Sequence, residues 1–145
     1  MNLGKMVKIM NLNRYGSIVN IQKEKNNLVI DVNIKYLAKY IEKTYSIMKY
    51  KIINFMEIEF NVNGIPKYEK IDEINNEKLT INTAEIGKKH SLLINVWSET
   101  IEHGKLYIWA NYENDIKIYD QKNNEIEYDR FIDICSQKWY CPYLA

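Results

Sequence analysis

The chain has little of what most catalytic and cofactor sites are made from. Its 145 residues include two cysteines, two histidines, two prolines, five glycines and, by count, two arginines and four alanines. Scattered glycines do not build a phosphate cradle, and neither G-x-x-x-x-G-K-[ST] nor G-x-G-x-x-G occurs. Cys135 and Cys141 lie at a C-x5-C spacing with no second pair and no neighbouring histidine, which excludes the common zinc patterns. In a reducing compartment they are expected to be thiols. His90 and His103 fall in the polar segments GKKHS and IEHGK, outside any metal-ligand spacing. No apolar run approaches the ~20 residues of a membrane-spanning helix. The opening segment MNLGKMVKIMNLNRYG holds no signal-type apolar stretch of ~7–15 residues, so the expected location is the cytoplasm.

What is abundant points to strands. The chain has 23 isoleucines, 18 lysines, 18 asparagines and 12 tyrosines, too much β-branched and aromatic material for disorder. The net charge of +1 hides an uneven distribution. Residues 1–55 carry ten bases against three acids (+7), and residues 56–145 carry ten against sixteen (−6). Such asymmetry marks either a partner of one sign or two halves that neutralise each other.

The length fits one domain, 1–145, at ~100–200 residues per domain. Residues 17–22 and 28–34 alternate apolar and polar around the polar run Lys23–Asn27, the pattern of a hairpin. In 35–49, Leu37, Ile41 and Met48 recur at helical spacing while Lys35, Lys39 and Lys43 share another face. This predicts the principal helix. Met56, Ile58, Phe60 and Val62 alternate with polar residues up to Asn63-Gly64, which supplies the two positive-φ positions of a type I′ turn into Ile65–Tyr68. Pro66 makes that return strand short or peripheral. Further strands read at 78–83, 91–98, 105–112, 115–119 and 125–128, followed by a short closing helix at 130–139 with Asp129 as N-cap. The expected fold is α+β, a mainly antiparallel sheet (meander or barrel-like) with one principal helix near 35–49 and a short C-terminal helix.

Catalytic constellations are thin. His103 with Glu99 and Glu102 suggests acid–base chemistry, and Asp115-Ile116-Lys117 echoes the acid-x-Lys step of metal-dependent nucleases. With 18 lysines and 19 acids, however, such a triplet arises by chance several times. The expectation is a non-enzyme without cofactor or metal. Two surfaces remain. Lys35, Lys39, Lys43, Lys49 and Lys51, interleaved with Tyr36, Tyr40 and Tyr50, could contact RNA by phosphate pairing and stacking, against the plainer reading of a solvated helix face. The second runs from 97 to 133, where nine carboxylates mix with tyrosines and tryptophans. Glu99, Glu102, Tyr107, Trp109, Tyr112, Glu113, Asp115, Tyr119 and Asp120 are its candidate partner-binding residues. The alternative is that the terminal helix covers those rings.

A small single-domain chain without catalytic motifs, in which an acidic strand segment is interleaved with aromatics, resembles the bacterial immunity proteins of polymorphic-toxin and contact-dependent growth-inhibition systems. The resemblance is of general character and rests mostly on 97–133. It implies a partner that is a cognate toxin domain, often a nuclease with a basic active site that the immunity protein covers. Apart from the resemblance, no membrane partner is expected, and nucleic acid only under the alternative of a small RNA-binding or RNA-cleaving protein that uses the basic face 35–51.

Overall fold

The structure is a computed structural model that describes residues 2–68, 70–114 and 116–136. It is α+β: a ten-stranded antiparallel sheet with helices packed against it. The helices are α1 (Asn2–Leu12), α2 (Lys35–Ala38), α3 (Ile71–Asn75) and α4 (Tyr128–Ser136). The strands are β1 (Ser17–Glu24), β2 (Asn27–Asn33), β3 (Ile47–Ile52), β4 (Phe55–Val62), β5 (Ile65–Tyr68), β6 (Thr80–Ile86), β7 (Leu92–Trp97), β8 (Gly104–Ala110), β9 (Lys117–Tyr119) and β10 (Glu125–Ile126). They lie in the order β10-β9-β3-β2-β1-β6-β7-β8-β4-β5. The sheet is therefore open, with β10 and β5 as its edges, and not a closed barrel.

Two five-stranded halves make up this sheet. Among the described residues, β1 and β6 share one register pair, Ser17 with Thr80, flanked by Ile18 N–H to Leu79 O (2.8 Å) and Ile81 N–H to Gly16 O (2.9 Å). The chain first passes from one half to the other at Ile53-Asn54 and returns between β8 and β9. At that first crossing β3 turns into β4 without pairing to it, and Asn54 takes φ +54°. The charge boundary at residue 55 coincides with this corner.

Period-two patterns became strands because one face of each is buried. Leu28, Ile30 and Val32 on β2, Met48, Tyr50 and Ile52 on β3, and Leu92, Ile94 and Val96 on β7 all enter one core. Helix α1 lies on this inner face through Leu3, Met6, Ile9 and Met10, and α4 adds Phe131 and Ile134. Phe131 meets Tyr50 edge-on with centroids 6.2 Å apart. At the Asn63-Gly64 turn both residues have positive φ, +54° and +82°, and β5 with its Pro66 is an edge strand, as the turn chemistry requires.

The helix expected over 35–49 is a correction. Helix α2 ends at Ala38, a turn region follows, and β3 begins at Ile47. Met48 fitted a helical stripe with Leu37 and Ile41, but Met48, Tyr50 and Ile52 also alternate. Pairing of β3 with β2 over six register pairs decides for the strand. Among the described residues the longest helix is α1, whose spacing Leu3, Met6, Ile9, Met10 is itself helical. Asp129 lies inside the first turn of α4 and is not its N-cap, and residues 137–139 of the expected closing helix lie outside the described residues.

Candidate functional site

On β4, β8, β7 and β6 the residues between the core positions point to the face opposite α1. The registers align Glu59, Tyr107, Leu93 and Glu85 in one row across this outer face, Asn61, Lys105, Asn95 and Thr83 in the next, and Glu57 beside Trp109 in a third. Tyr107 and Trp109 stack with centroids 5.8 Å apart and an interplanar angle of 18°. Tyr107 and Leu93 are buried here, yet neither belongs to the main core. Among the described residues, what covers them is the β6–β7 connection, while α4 packs on the inner core through Phe131 and Ile134. A Cβ on Gly87 would come within 2.8 Å of Leu93 Cβ and 3.2 Å of Tyr107 Cδ1, so glycine permits that close approach. Lys88 then reaches 2.8 Å to Glu59 and sits 4.7 Å above the Tyr107 ring. Its ammonium pKa is raised, chiefly by the hydrogen bond to Glu59.

Beyond this clamp the face opens. A β-bulge between Phe55 and Glu57 leaves Met56 without a partner on β8 and pushes it outward, 71% exposed. The alternation had placed Met56 inward with Ile58 and Phe60; the extra residue reverses it. Met56 separates two grooves. One, of about 660 Å³, is bounded by Leu3, His90, Trp109, Tyr112 and Glu113; the other, of about 490 Å³, by Glu57, Glu59, Lys70, Ile71 and Asp72. The indole N–H of Trp109 is buried and meets no acceptor among the described residues. Further along the same face Trp97 is 42% exposed.

The nine residues singled out from the sequence do not form one patch. Tyr107 and Trp109 belong to the outer face, and Glu113 borders the larger groove. Glu99 and Glu102 are exposed in the β7–β8 connection, with His103, at the far end of the hairpin. Tyr112 is buried and its hydroxyl donates to Ile108 O, so it braces the end of β8. Burial raises its phenol pKa. Asp120 is also buried. Its carboxylate accepts from Lys122 N–H at 2.9 Å, Asn124 N–H at 3.0 Å and the Asn124 amide at 3.1 Å, which builds the β9–β10 turn. Tyr119 sits on the other half of the sheet, opposite Lys49 on β3. Asp115 lies outside the described residues. Sequence reasoning missed Met56, Glu57 and Glu59, although the alternation MEIEF already set the two glutamates on the solvent side.

The basic stripe expected over 35–51 is not continuous. Lys35 opens the single turn of α2, Lys39 is its C-cap and Lys43 lies in the turn region beyond, whereas Lys49 and Lys51 stand on β3. Tyr50 is fully buried, and Tyr36 donates its hydroxyl to Arg14 O at 2.5 Å while packing on the core. Among the described residues no group of three or more His, Cys, Asp or Glu side chains is placed to hold a metal, and no helix is long and apolar enough to cross a membrane. No family model, no curated protein and no solved structure matches the chain.

Proposed function

We propose that this protein is a binding inhibitor of the immunity type, which holds a basic toxin domain against the outer face of β4, β8 and β7 in the cytoplasm of the producing cell. It acts by occupying its partner rather than by catalysis. The observation that carries the reading is the pairing of the extruded Met56 with the half-buried Trp109. An exposed apolar side chain next to a tryptophan with an unused donor, flanked by grooves whose borders carry Glu57, Asp72 and Glu113 alongside Lys70, Lys89 and His90, has the make-up of an interface hot spot. The exposed carboxylates Glu57, Asp72 and Glu113 would pair with cationic groups of the partner at the rim, an effect that salt weakens. The resemblance to immunity proteins supplies the class of partner, a toxin domain with a basic substrate surface.

The test is co-expression with the product of the neighbouring upstream gene. The expected result is a stoichiometric complex and rescue of growth from that product's toxicity. Met56→Asp and Glu57→Lys should abolish both while thermal unfolding stays unchanged, because both side chains are exposed. A complex indifferent to both substitutions, or neither complex nor rescue, overturns the reading.

A further inference from the structure

The other half of the sheet carries a second outer face with different chemistry. There β2, β3 and β9 set Asp31, Lys49 and Tyr119 in one row, because Asp31 pairs with Lys49 and Lys49 with Tyr119. These side chains and Val29 line a cavity of about 370 Å³. Asp31 lies mid-strand on β2 opposite Asn20 of β1, whose side chain hydrogen-bonds its carboxyl group, yet its Oδ1 is buried without a hydrogen-bond partner among the described residues. Lys49 does not satisfy it. The Lys49 ammonium is bonded to Asn123 Oδ1 at 2.9 Å, which uses one of its three donors. Lys51 is held by Glu24 at 3.2 Å and stands 5.3 Å from the Tyr119 ring centroid, so the ring is fixed as a wall. Val29, 7% exposed on this outer face and outside the main core, supplies an apolar floor.

A buried carboxylate oxygen without a donor costs free energy that a bound donor would recover. The neighbouring ammonium asks for an acceptor. Asp31 and Lys49 are cross-strand neighbours, with Cβ atoms ~4.5–5.5 Å apart, so an acceptor and an ammonium both line the one cavity. We propose that this cavity binds a nucleobase with a lactam edge, guanine or uracil, as a free nucleoside or nucleotide. The ring N–H donates to Asp31 Oδ1, the adjacent carbonyl accepts from Lys49 Nζ, and the flat heterocycle rests on Val29 and Tyr119. Adenine and cytosine present a ring nitrogen acceptor where the lactams present N–H. They would set a lone pair against the carboxylate, and a site built to pair a donor rejects the analogue lacking it. The site is distinct from the Met56 face and does not depend on the reading of that face.

The experiment is a two-dimensional NMR titration of the intact protein with guanosine, uridine, adenosine and cytidine monophosphates and with inorganic phosphate. The expected result is saturable shifts at the amides of Asp31, Lys49 and Tyr119 with the guanine or uracil nucleotide, and at least a tenfold weaker response to the other two bases and to phosphate. Guanine against uracil preference then tells which lactam base is the ligand. Asp31→Ala should abolish the shifts while its thermal unfolding temperature holds or rises, since a desolvated carboxylate is removed. Lys49→Met should weaken binding at least tenfold and covers the case in which the first variant fails to fold. Equal response to all four bases, a response to phosphate alone, no saturable response at millimolar nucleotide, or full binding by both variants overturns the proposal.

Discussion

Asn75 closes both backbone hydrogen bonds of Ile21: its Oδ1 accepts from Ile21 N–H and its Nδ2 donates to Ile21 O, each at 2.6 Å. Ile21 lies on β1 beyond the point where β1 leaves β6, so these groups face no strand on that side. Asn11 does the same on β6, accepting from Ala84 N–H at 2.8 Å and donating to Ala84 O at 3.0 Å. Two side-chain amides from α3 and α1 thus stand in for the missing backbone of a neighbouring strand. A primary amide suits the task because it carries one acceptor and donors in the geometry of a peptide unit. Orphaned backbone groups at such an edge would otherwise cost free energy. Asn75→Ala and Asn11→Ala should each lower unfolding free energy by ~1–3 kcal/mol in urea titration. Amide exchange should quicken at Ile21 in the first variant and at Ala84 in the second. Unchanged exchange at those two amides would show that the clamps are dispensable.

A second expectation concerns Asn13, fully buried where α1 ends. Its Nδ2 donates to Ile9 O at 2.8 Å and its Oδ1 accepts from the Tyr50 hydroxyl at 2.7 Å. Tyr50→Phe keeps the ring and its edge contact with Phe131 but leaves that acceptor buried and unpaired. The loss should be ~1–3 kcal/mol by denaturant unfolding. A Tyr50→Phe, Asn13→Leu double variant should be less destabilised than the sum of the singles, since both partners are then apolar.

Alkaline pH should unfold the protein through the same tyrosine. Burial pushes the Tyr50 phenol well above its ordinary value of 10.0, and Tyr112 is raised for the same cause. The unfolded chain therefore ionises these groups before the folded one does. Their contribution is complete below pH 10 and is lost as pH rises beyond it. Stability measured between pH 8 and pH 11 should fall across the upper part of that range, and less steeply for Tyr50→Phe. Parallel profiles for the two proteins would refute the assignment to Tyr50.

Gly104 opens β8 against the core with no room for a side chain. An added Cβ would lie 2.9 Å from Val96 Cγ2 and 3.0 Å from Phe60 Cε1. Gly104→Ala should cost ~1–3 kcal/mol by overpacking. Val96→Ala carries a cavity cost of its own but removes the nearer clash, so the double variant should lose less than the sum of the singles. An additive loss would place the strain against the Phe60 ring.

The strands were legible in the sequence because a half-buried strand must alternate, and the turn residues Asn63-Gly64 enforce their own geometry. The segment 35–49 was not, because Leu37, Ile41 and Met48 satisfy a helical period while Met48, Tyr50 and Ile52 satisfy a strand period. Only the partner strand β2 separates them. Trp109 and Tyr107 could be assigned to the solvent side of β8 from alternation alone. The groove beside them could not, since it depends on a bulge at Met56 with no local signature. Tyr112 and Asp120 read as surface groups from residue type alone, whereas both are buried and bonded locally, to Ile108 O and to the 122–124 turn, contacts that no periodicity encodes.

The division of the sheet also sets the order in which the protein can be finished during synthesis. Strand β3 ends at Ile52, but the strand that covers its far edge, β9, starts at Lys117. At a translation rate of ~5–20 residues per second, that edge waits several seconds while the second half of the sheet is still being made. An uncovered strand edge invites pairing with other chains, and lysines on it discourage that. Lys49 and Lys51 are the residues that meet Tyr119 and Lys117 when β9 arrives. Until β9 is made, lysines at that edge disfavour its pairing with another chain.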